Sequence, residues 1–144
     1  MTLALGIILS SIFLILSLLH FYWSLGGKSG FSKSLPETKE GRKIIHPKKT
    51  DSFIVATGLS AMSAFVLIRI AILPVSVPPW LMKYGLWVIS VIFILRSIGD
   101  FRYAGFFKQI KHSAFAKSDS RYYSPLCLLI GIIGIVIELV KPNA

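Results

Sequence analysis

LRSIGDFRYAGFFK, residues 95–108, carries the chain out of an apolar run and into a basic loop. Arg96 and Asp100 are four residues apart, so on a helix they share one face, and Tyr103 continues that face one turn later. A charge near the centre of a bilayer helix costs about 2.5–3.5 kcal/mol. Because pairing lowers this cost, we predict that Arg96 and Asp100 contact each other, directly or through Tyr103.

The composition is typical of an integral membrane protein. Of the 144 residues, 54% are hydrophobic and 15% are charged, and the mean hydropathy is +0.72. A soluble domain carries about 25% charged residues. The net charge of +10 would suggest nucleic acid binding in a soluble protein. Here the basic residues lie mainly in two loops between apolar runs, which indicates a cytoplasmic membrane face and no nucleic acid partner.

Four apolar runs predict the fold class. They indicate an all-α, polytopic membrane protein, residues 1–144, with four transmembrane helices in an antiparallel bundle. The predicted spans are about 2–25, 53–73, 81–100 and 123–140, and the basic loops are 26–52 and 101–122. Ser124 followed by Pro125 is a good N-cap and first-turn pair, so the fourth helix is predicted to start there.

The distribution of Lys and Arg predicts the orientation. The first loop has seven Lys and Arg residues and the third has five, whereas the second has only Lys83. The positive-inside rule then places both basic loops in the cytoplasm and both termini outside. The predicted location is the cell membrane, with the lipid bilayer as the surrounding partner.

Charged and aromatic residues near the predicted cytoplasmic ends of the spans are the candidate site. The first and third spans run inward and the fourth starts on that side, so these ends should meet, with His20 or Tyr123 near Arg96. Helix N-termini in the same region favour anions. A phosphate or lipid headgroup would suit such a pocket, although the charges could simply lock the bundle together. The candidates are His20, Tyr22, Trp23, Arg96, Asp100, Arg102, Tyr103, Tyr123 and Ser124.

Catalytic chemistry is not indicated by any motif in the sequence. It has no phosphate loop, metalloprotease motif or metal-ligand spacing, so no metal and no cofactor is predicted and any catalytic residue is unknown. The single cysteine, Cys127, excludes a disulfide within the chain.

A second pair of charges is predicted at the outer level of the membrane. Arg69 lies near the end of the second span and Glu138 near the end of the fourth. If these helices are neighbours, the two side chains can form a structural polar pair. The competing interpretation is that each reaches the interface independently.

Three stretches together resemble a known family. They are HFYWSLGG (20–27), RSIGDFRYAGFF (96–107) and DSRYYSPLC (119–127). They resemble an uncharacterised family of small bacterial four-helix integral membrane proteins, a domain of unknown function, over nearly the whole chain. The resemblance implies an architecture but no activity. The resemblance also implies that the signature positions of the family are, in this chain, His20, Tyr22, Trp23, Arg96, Asp100, Arg102, Tyr103, Tyr123, Ser124 and Pro125.

Three functional classes are open at this point. The first is a small module that binds or transports an anionic small molecule or lipid headgroup at its cytoplasmic side. The second is a membrane enzyme acting on a lipid or isoprenoid, with His20 or Asp100 as general acid or base. The third is a stabilising subunit of a membrane complex, and a homo-oligomer is also left open. Binding is preferred over catalysis because the sequence shows charge placement but no recognisable nucleophile.

Overall fold

The computed structural model describes residues 1–140, which form helices joined by three loops. The helices are α1 (Thr2–Ser24), α2 (Lys49–Arg69), α3 (Pro79–Ile98), α4 (Ala114–Ser118) and α5 (Ser124–Val140). A π-helical turn, Asp119–Tyr123, joins α4 to α5 without a break, so that Ala114–Val140 is one helix of 27 residues. Four helices are long and apolar enough to cross a membrane, which confirms the predicted all-α, four-span class.

The bundle is built from two helical hairpins. In one hairpin α1 packs along α2, and in the other α3 packs along α5. The hairpins meet mainly where α1 touches α5, while α2 and α3 contact each other little. We call the end that carries the loops 25–48 and 99–113 the basic end. The opposite end carries the loop 70–78.

Serine side chains hold α1 against α2. Ser10 Oγ lies 2.8 Å from Ser63 Oγ, and Ser17 Oγ donates a hydrogen bond of 2.7 Å to the carbonyl of Ala56. All of these groups are buried. Small polar residues allow close approach between helices and supply hydrogen bonds where lipid offers none. Ser10 and Ser17, which are seven residues apart in α1, therefore form part of its interface with α2.

Glycines play the corresponding role between α3 and α5. Gly131 and Gly134 lie so close to α3 that a Cβ at either position would overlap Ile94 or Ser90. The helices are brought together by the absence of side chains at these two positions.

The buried apolar core is narrow, and most other apolar side chains point outward. Leu9, Phe13 and Leu86 are fully buried at the centre. In contrast, Ile15 and Ile54 are 65% and 68% exposed. Such a surface suits a lipid environment, since hydrocarbon removes the cost of exposing apolar side chains.

Two helix boundaries at the basic end differ from the predicted ones. The second helix begins at Lys49, and Asp51 caps it by accepting a hydrogen bond of 2.7 Å from the backbone N–H of Lys48. The third helix ends at Ile98, two residues before Asp100, because Gly99 has a φ of +90° and turns the chain out of the helix.

The start of the fourth span also differs from the prediction. The helix begins at Ala114, where the side chain of Ser113 accepts a hydrogen bond from the backbone N–H of Ala116. Ser124 is therefore no N-cap but a buried residue well inside the helix. The predicted N-cap signal at Ser124 and Pro125 is overridden because the helix continues through the π turn.

Candidate functional site

A cavity of about 440 Å³ lies between the two hairpins at the basic end. All four long helices and the first loop contribute to its wall, which is mostly apolar. Four of the nine candidate residues line it, namely His20, Trp23, Arg96 and Tyr123. The other lining residues are Leu16, Leu19, Phe31, Ser34, Leu35, Pro47, Asp51, Ser52, Val55, Leu59, Phe93, Phe115 and Cys127. We call this space the inner cavity.

His20 and Trp23 form the α1 side of the inner cavity. His20 Nδ1 is 2.8 Å from the carbonyl oxygen of Leu16, so in the neutral ring Nδ1 carries the proton and Nε2 is the acceptor. The two rings meet edge to face with centroids 4.9 Å apart. The indole N–H of Trp23 donates a hydrogen bond of 2.8 Å to the carbonyl of Ser29, which attaches the first loop to the helix.

Asp119 is the centre of a polar cluster that reaches the inner cavity through Arg96. It is fully buried and accepts hydrogen bonds from Arg96 Nη2 (3.0 Å), Lys108 Nζ (3.0 Å), the Gly105 N–H (2.8 Å) and Ser124 Oγ (3.0 Å). The π turn places Ser124, five residues later, beside Asp119. The carboxylate therefore connects α3, the second basic loop and α5.

The polar cluster contains one more positive than negative charge. Arg96 and Lys108 contribute two cations, and Asp119 contributes one anion. Lys108 is 2% exposed, and its ammonium donates hydrogen bonds to the Gly105 carbonyl, the Asp119 carboxylate and the Ser120 hydroxyl. The Nη1 atom of Arg96 is buried and has no hydrogen-bond partner within residues 1–140. A buried donor without a partner is costly, and this one belongs to a residue that lines the inner cavity.

Two glycines allow the second basic loop to fold against the end of α3. Gly99 and Gly105 have φ values of +90° and +86°. A Cβ on Gly99 would overlap the backbone of Ala104, and one on Gly105 would overlap the carbonyl of Ile98. The contact between the two backbones brings the Gly105 N–H to Asp119.

We expect Gly99→Ala to lower the free energy of unfolding by about 1–3 kcal/mol, because it adds both backbone strain and a steric overlap. Gly41→Ala is the matched control, since Gly41 also has a positive φ (+78°) but no atom of residues 1–140 within 4 Å of the added Cβ. Thermal unfolding of the two purified variants measures the difference. Equal losses would show that the overlap at Gly99 is relieved by a shift of the loop.

Asp100 does not occupy the position that we predict from the helix pattern. Because α3 ends at Ile98, Asp100 is exposed in the loop, and Arg96 pairs with Asp119 instead. The predicted contact between Arg96 and Asp100 is therefore wrong.

The loop after α3 takes its shape from the carboxylate of Asp100. Its Oδ1 accepts hydrogen bonds from the backbone N–H groups of Arg102 (3.0 Å), Tyr103 (2.8 Å) and Ala104 (3.0 Å). Partial burial raises the pKa of Asp100, but these hydrogen bonds lower it, and the net pKa lies below its ordinary value.

The remaining candidates lie outside the inner cavity. Arg102 and Tyr103 line a separate surface pocket between the two basic loops, together with Lys39 and Glu40. Tyr22 packs against Gly27 at the end of α1. Ser124 supports Asp119 and is not among the residues that line the cavity.

The candidate set omits Asp119 and Lys108, which organise the cluster. One signal in the sequence identifies Asp119, since it is the only acidic residue in the segment 101–122, among five Lys and Arg residues. No equivalent signal distinguishes Lys108 from the other basic residues of the loop. Within residues 1–140, no three His, Cys, Asp and Glu side chains are grouped so that they could hold a metal ion.

Arg69 and Glu138 meet at the end of the bundle opposite the basic end. Arg69 Nε and Nη2 donate hydrogen bonds of 2.9 Å to the two carboxylate oxygens of Glu138. Both side chains are 2% exposed. The pair considered from the sequence is thus present, and it joins α2 of one hairpin to α5 of the other.

Fold and cavity together define a multi-pass helical membrane protein of small size, with a polar cluster beside an apolar cavity. The chain belongs to the family described as "Protein of unknown function (DUF3995)", whose sequence profile matches residues 13–134. This match confirms the family resemblance. No curated protein and no solved structure matches the chain.

Proposed function

We propose that this protein binds an amphipathic anion in the inner cavity, at the cytoplasmic side of the membrane. The anionic head would lie against Arg96, and the apolar part would lie against Leu16, Leu59 and Phe93. The observation that carries the proposal is the position of Arg96, which is the one Lys or Arg among the described residues that line this mostly apolar cavity and has a side chain that is 37% exposed.

The charge of the cluster supports an anionic head. Arg96 and Lys108 share the single carboxylate of Asp119, which leaves one positive charge over, and the side chain of Arg96 is 37% exposed. Arginine offers a planar set of N–H donors that suits carboxylate and phosphate groups. A bound anion would balance the excess charge of the cluster.

The size and lining of the inner cavity support an apolar body on the ligand. Its volume of about 440 Å³ lies within the range of about 300–1,000 Å³ that is usual for small-molecule sites. A wholly polar anion would leave the walls formed by Leu59 and Phe93 without a partner.

The enzyme alternative depends on His20. Asp100, the other proposed acid or base, is engaged by three backbone N–H groups and does not line the cavity. His20 lines it with Nε2 available as an acceptor. If the protein is an enzyme, His20→Gln should therefore abolish turnover of the bound lipid without loss of binding.

Quenching of Trp23 fluorescence by dibromostearate tests the proposal. Trp23 lines the cavity, whereas Trp80 and Trp87 lie at the start and near the middle of α3 and line no part of it. Both are replaced by Phe for this experiment. In zwitterionic nanodiscs we expect saturable quenching by dibromostearate. Arg96→Gln should weaken binding by about 10- to 100-fold, the worth of a charge-assisted hydrogen bond, with little effect on the neutral methyl ester.

A matched pair on α2 separates cavity binding from lipid partitioning. Val55→Phe narrows the inner cavity, whereas Ile54→Phe adds the same ring to a neighbouring residue that is 68% exposed and does not line it. We expect Val55→Phe to abolish saturable quenching and Ile54→Phe to retain it. Equal quenching in both variants would show that the probe sits in the bilayer and would refute the proposal.

Cysteine labelling tests the orientation assumed here. In a Cys127→Ser background, Lys39→Cys in the first basic loop should react with a membrane-impermeant thiol reagent only after the cells are permeabilised. Ser76→Cys, in the loop at the opposite end, should react in intact cells. Both residues are exposed, so the reverse pattern would place the basic end outside.

A further inference from the structure

A second cavity, of about 420 Å³, adjoins the inner one at the basic end. We call it the outer cavity. Four residues, Trp23, Phe31, Pro47 and Ser52, line both spaces. The remaining lining residues of the outer cavity are Gly26, Gly27, Lys28, Ser32, Lys48 and Lys49. The two cavities are therefore adjacent, with the Trp23 and Phe31 rings, whose centroids are 5.6 Å apart, in the wall that they share.

Lysines dominate the charge of the outer cavity. Lys28, Lys48 and Lys49 line it, and within the described residues 1–140 no acidic residue does. Lys49 folds back over the end of α1, with its ammonium 3.3 Å from the position that a Cβ on Gly26 would occupy. The nearest acid along the chain, Asp51, lines the inner cavity and already accepts a hydrogen bond from the Lys48 backbone.

We propose that the ligand is a lipid whose head carries at least two phosphate groups. This inference rests on the proposed function. One anionic group lies against Arg96 in the inner cavity, the chain occupies the apolar end, and the rest of the head extends among Lys28, Lys48 and Lys49.

Charge matching favours this ligand class over a single carboxylate. The cluster around Asp119 has one excess positive charge, which one anionic group would balance. The three lysines of the outer cavity are exposed, and they offer further cations that a second phosphate would contact and a monoanion at Arg96 would not. Lysine ammonium groups bind phosphate as point charges, and a phosphorylated head supplies several acceptor oxygens close together.

The lysines also have a simpler role, because basic residues near the end of a span set its orientation. Orientation depends on the number of positive charges near the membrane and not on the side chains that face a cavity. Replacing the same number of lysines elsewhere at the basic end therefore separates the two roles.

Competition with dibromostearate, followed by Trp23 fluorescence, tests the proposal. The three lipid competitors share one farnesyl chain and differ only in the head group. The competitors are farnesol, farnesyl monophosphate and farnesyl diphosphate, and inorganic pyrophosphate tests the head alone. We expect the diphosphate to bind at least 10-fold more tightly than the monophosphate, with farnesol weaker still. Inorganic pyrophosphate should compete poorly. Competition by pyrophosphate as strong as that of farnesyl diphosphate would overturn the lipid assignment in favour of a free anion.

Two triple variants complete the experiment. Replacement of Lys28, Lys48 and Lys49 by Gln should remove the preference, so that farnesyl diphosphate and farnesyl monophosphate bind equally tightly. Binding of stearate should be unchanged. Replacement of Lys33, Lys39 and Lys111 by Gln removes the same charge outside the outer cavity and should preserve the preference. Saturable stearate binding without any preference for diphosphate in the parent protein would overturn this inference alone. Absence of saturable stearate binding would instead refute the proposed function.

Discussion

Asp119→Asn is expected to lower the free energy of unfolding by about 3–5 kcal/mol, the cost of removing one partner from a buried ion pair. Asn preserves the shape of the side chain but removes its charge. Lys108, which is 2% exposed, then loses its counterion, and Arg96 loses its partner at Nη2. The loss is measured by denaturant titration of the purified protein in mild detergent, followed by circular dichroism.

Asp100→Asn is the matched control for this substitution. Asp100 is exposed, and within residues 1–140 its Oδ1 accepts hydrogen bonds from three backbone N–H groups and from no side chain, a role that an amide oxygen can also fill. We expect a change within about 0.5 kcal/mol, as for surface positions generally. If both variants lose the same stability, Asp119 is not the counterion that holds the cluster together.

Glu138→Gln is expected to destabilise the bundle by a similar amount, about 3–5 kcal/mol, because it leaves the buried charge of Arg69 without its carboxylate. The double variant Arg69→Met with Glu138→Leu should behave differently. It removes both charges and replaces them with apolar groups, so its stability should equal or exceed that of the parent by up to about 4 kcal/mol.

The single and double variants are compared in the same denaturant titration. If the double variant is as unstable as Glu138→Gln, apolar contact between α2 and α5 cannot replace the ion pair, and the prediction is wrong. Binding of dibromostearate near Trp23 should survive in the double variant, since Arg69 and Glu138 do not line the inner cavity.

Hydrophobic patterning predicts the four spans well because each apolar run is long enough to cross a bilayer. It also puts Arg69 and Glu138 at the same level, since both lie near helix ends that face the same side. The pattern fails after residue 98 because a helical face can be extrapolated only while the backbone stays helical. Gly99 ends the helix and turns Asp100 outward.

The partner of Arg96 could not be derived from sequence spacing. Asp119 lies 23 residues away, and it reaches Arg96 only through a loop folded by Gly99 and Gly105 and a helix with a π turn. The inner cavity is harder still to predict. It is the space left where two hairpins do not fill the basic end, and that depends on the packing of all four helices.

The continuity of α4 with α5 has a structural consequence. The single helix of 27 residues, Ala114–Val140, contains both Phe115, at the wall of the inner cavity, and Glu138, which is paired with Arg69 of α2. At about 1.5 Å per residue this helix is about 40 Å long. The wall of the inner cavity and the Arg69–Glu138 pair therefore belong to one continuous element, and the π turn at Asp119–Tyr123 is the point where that element departs from α-helical geometry.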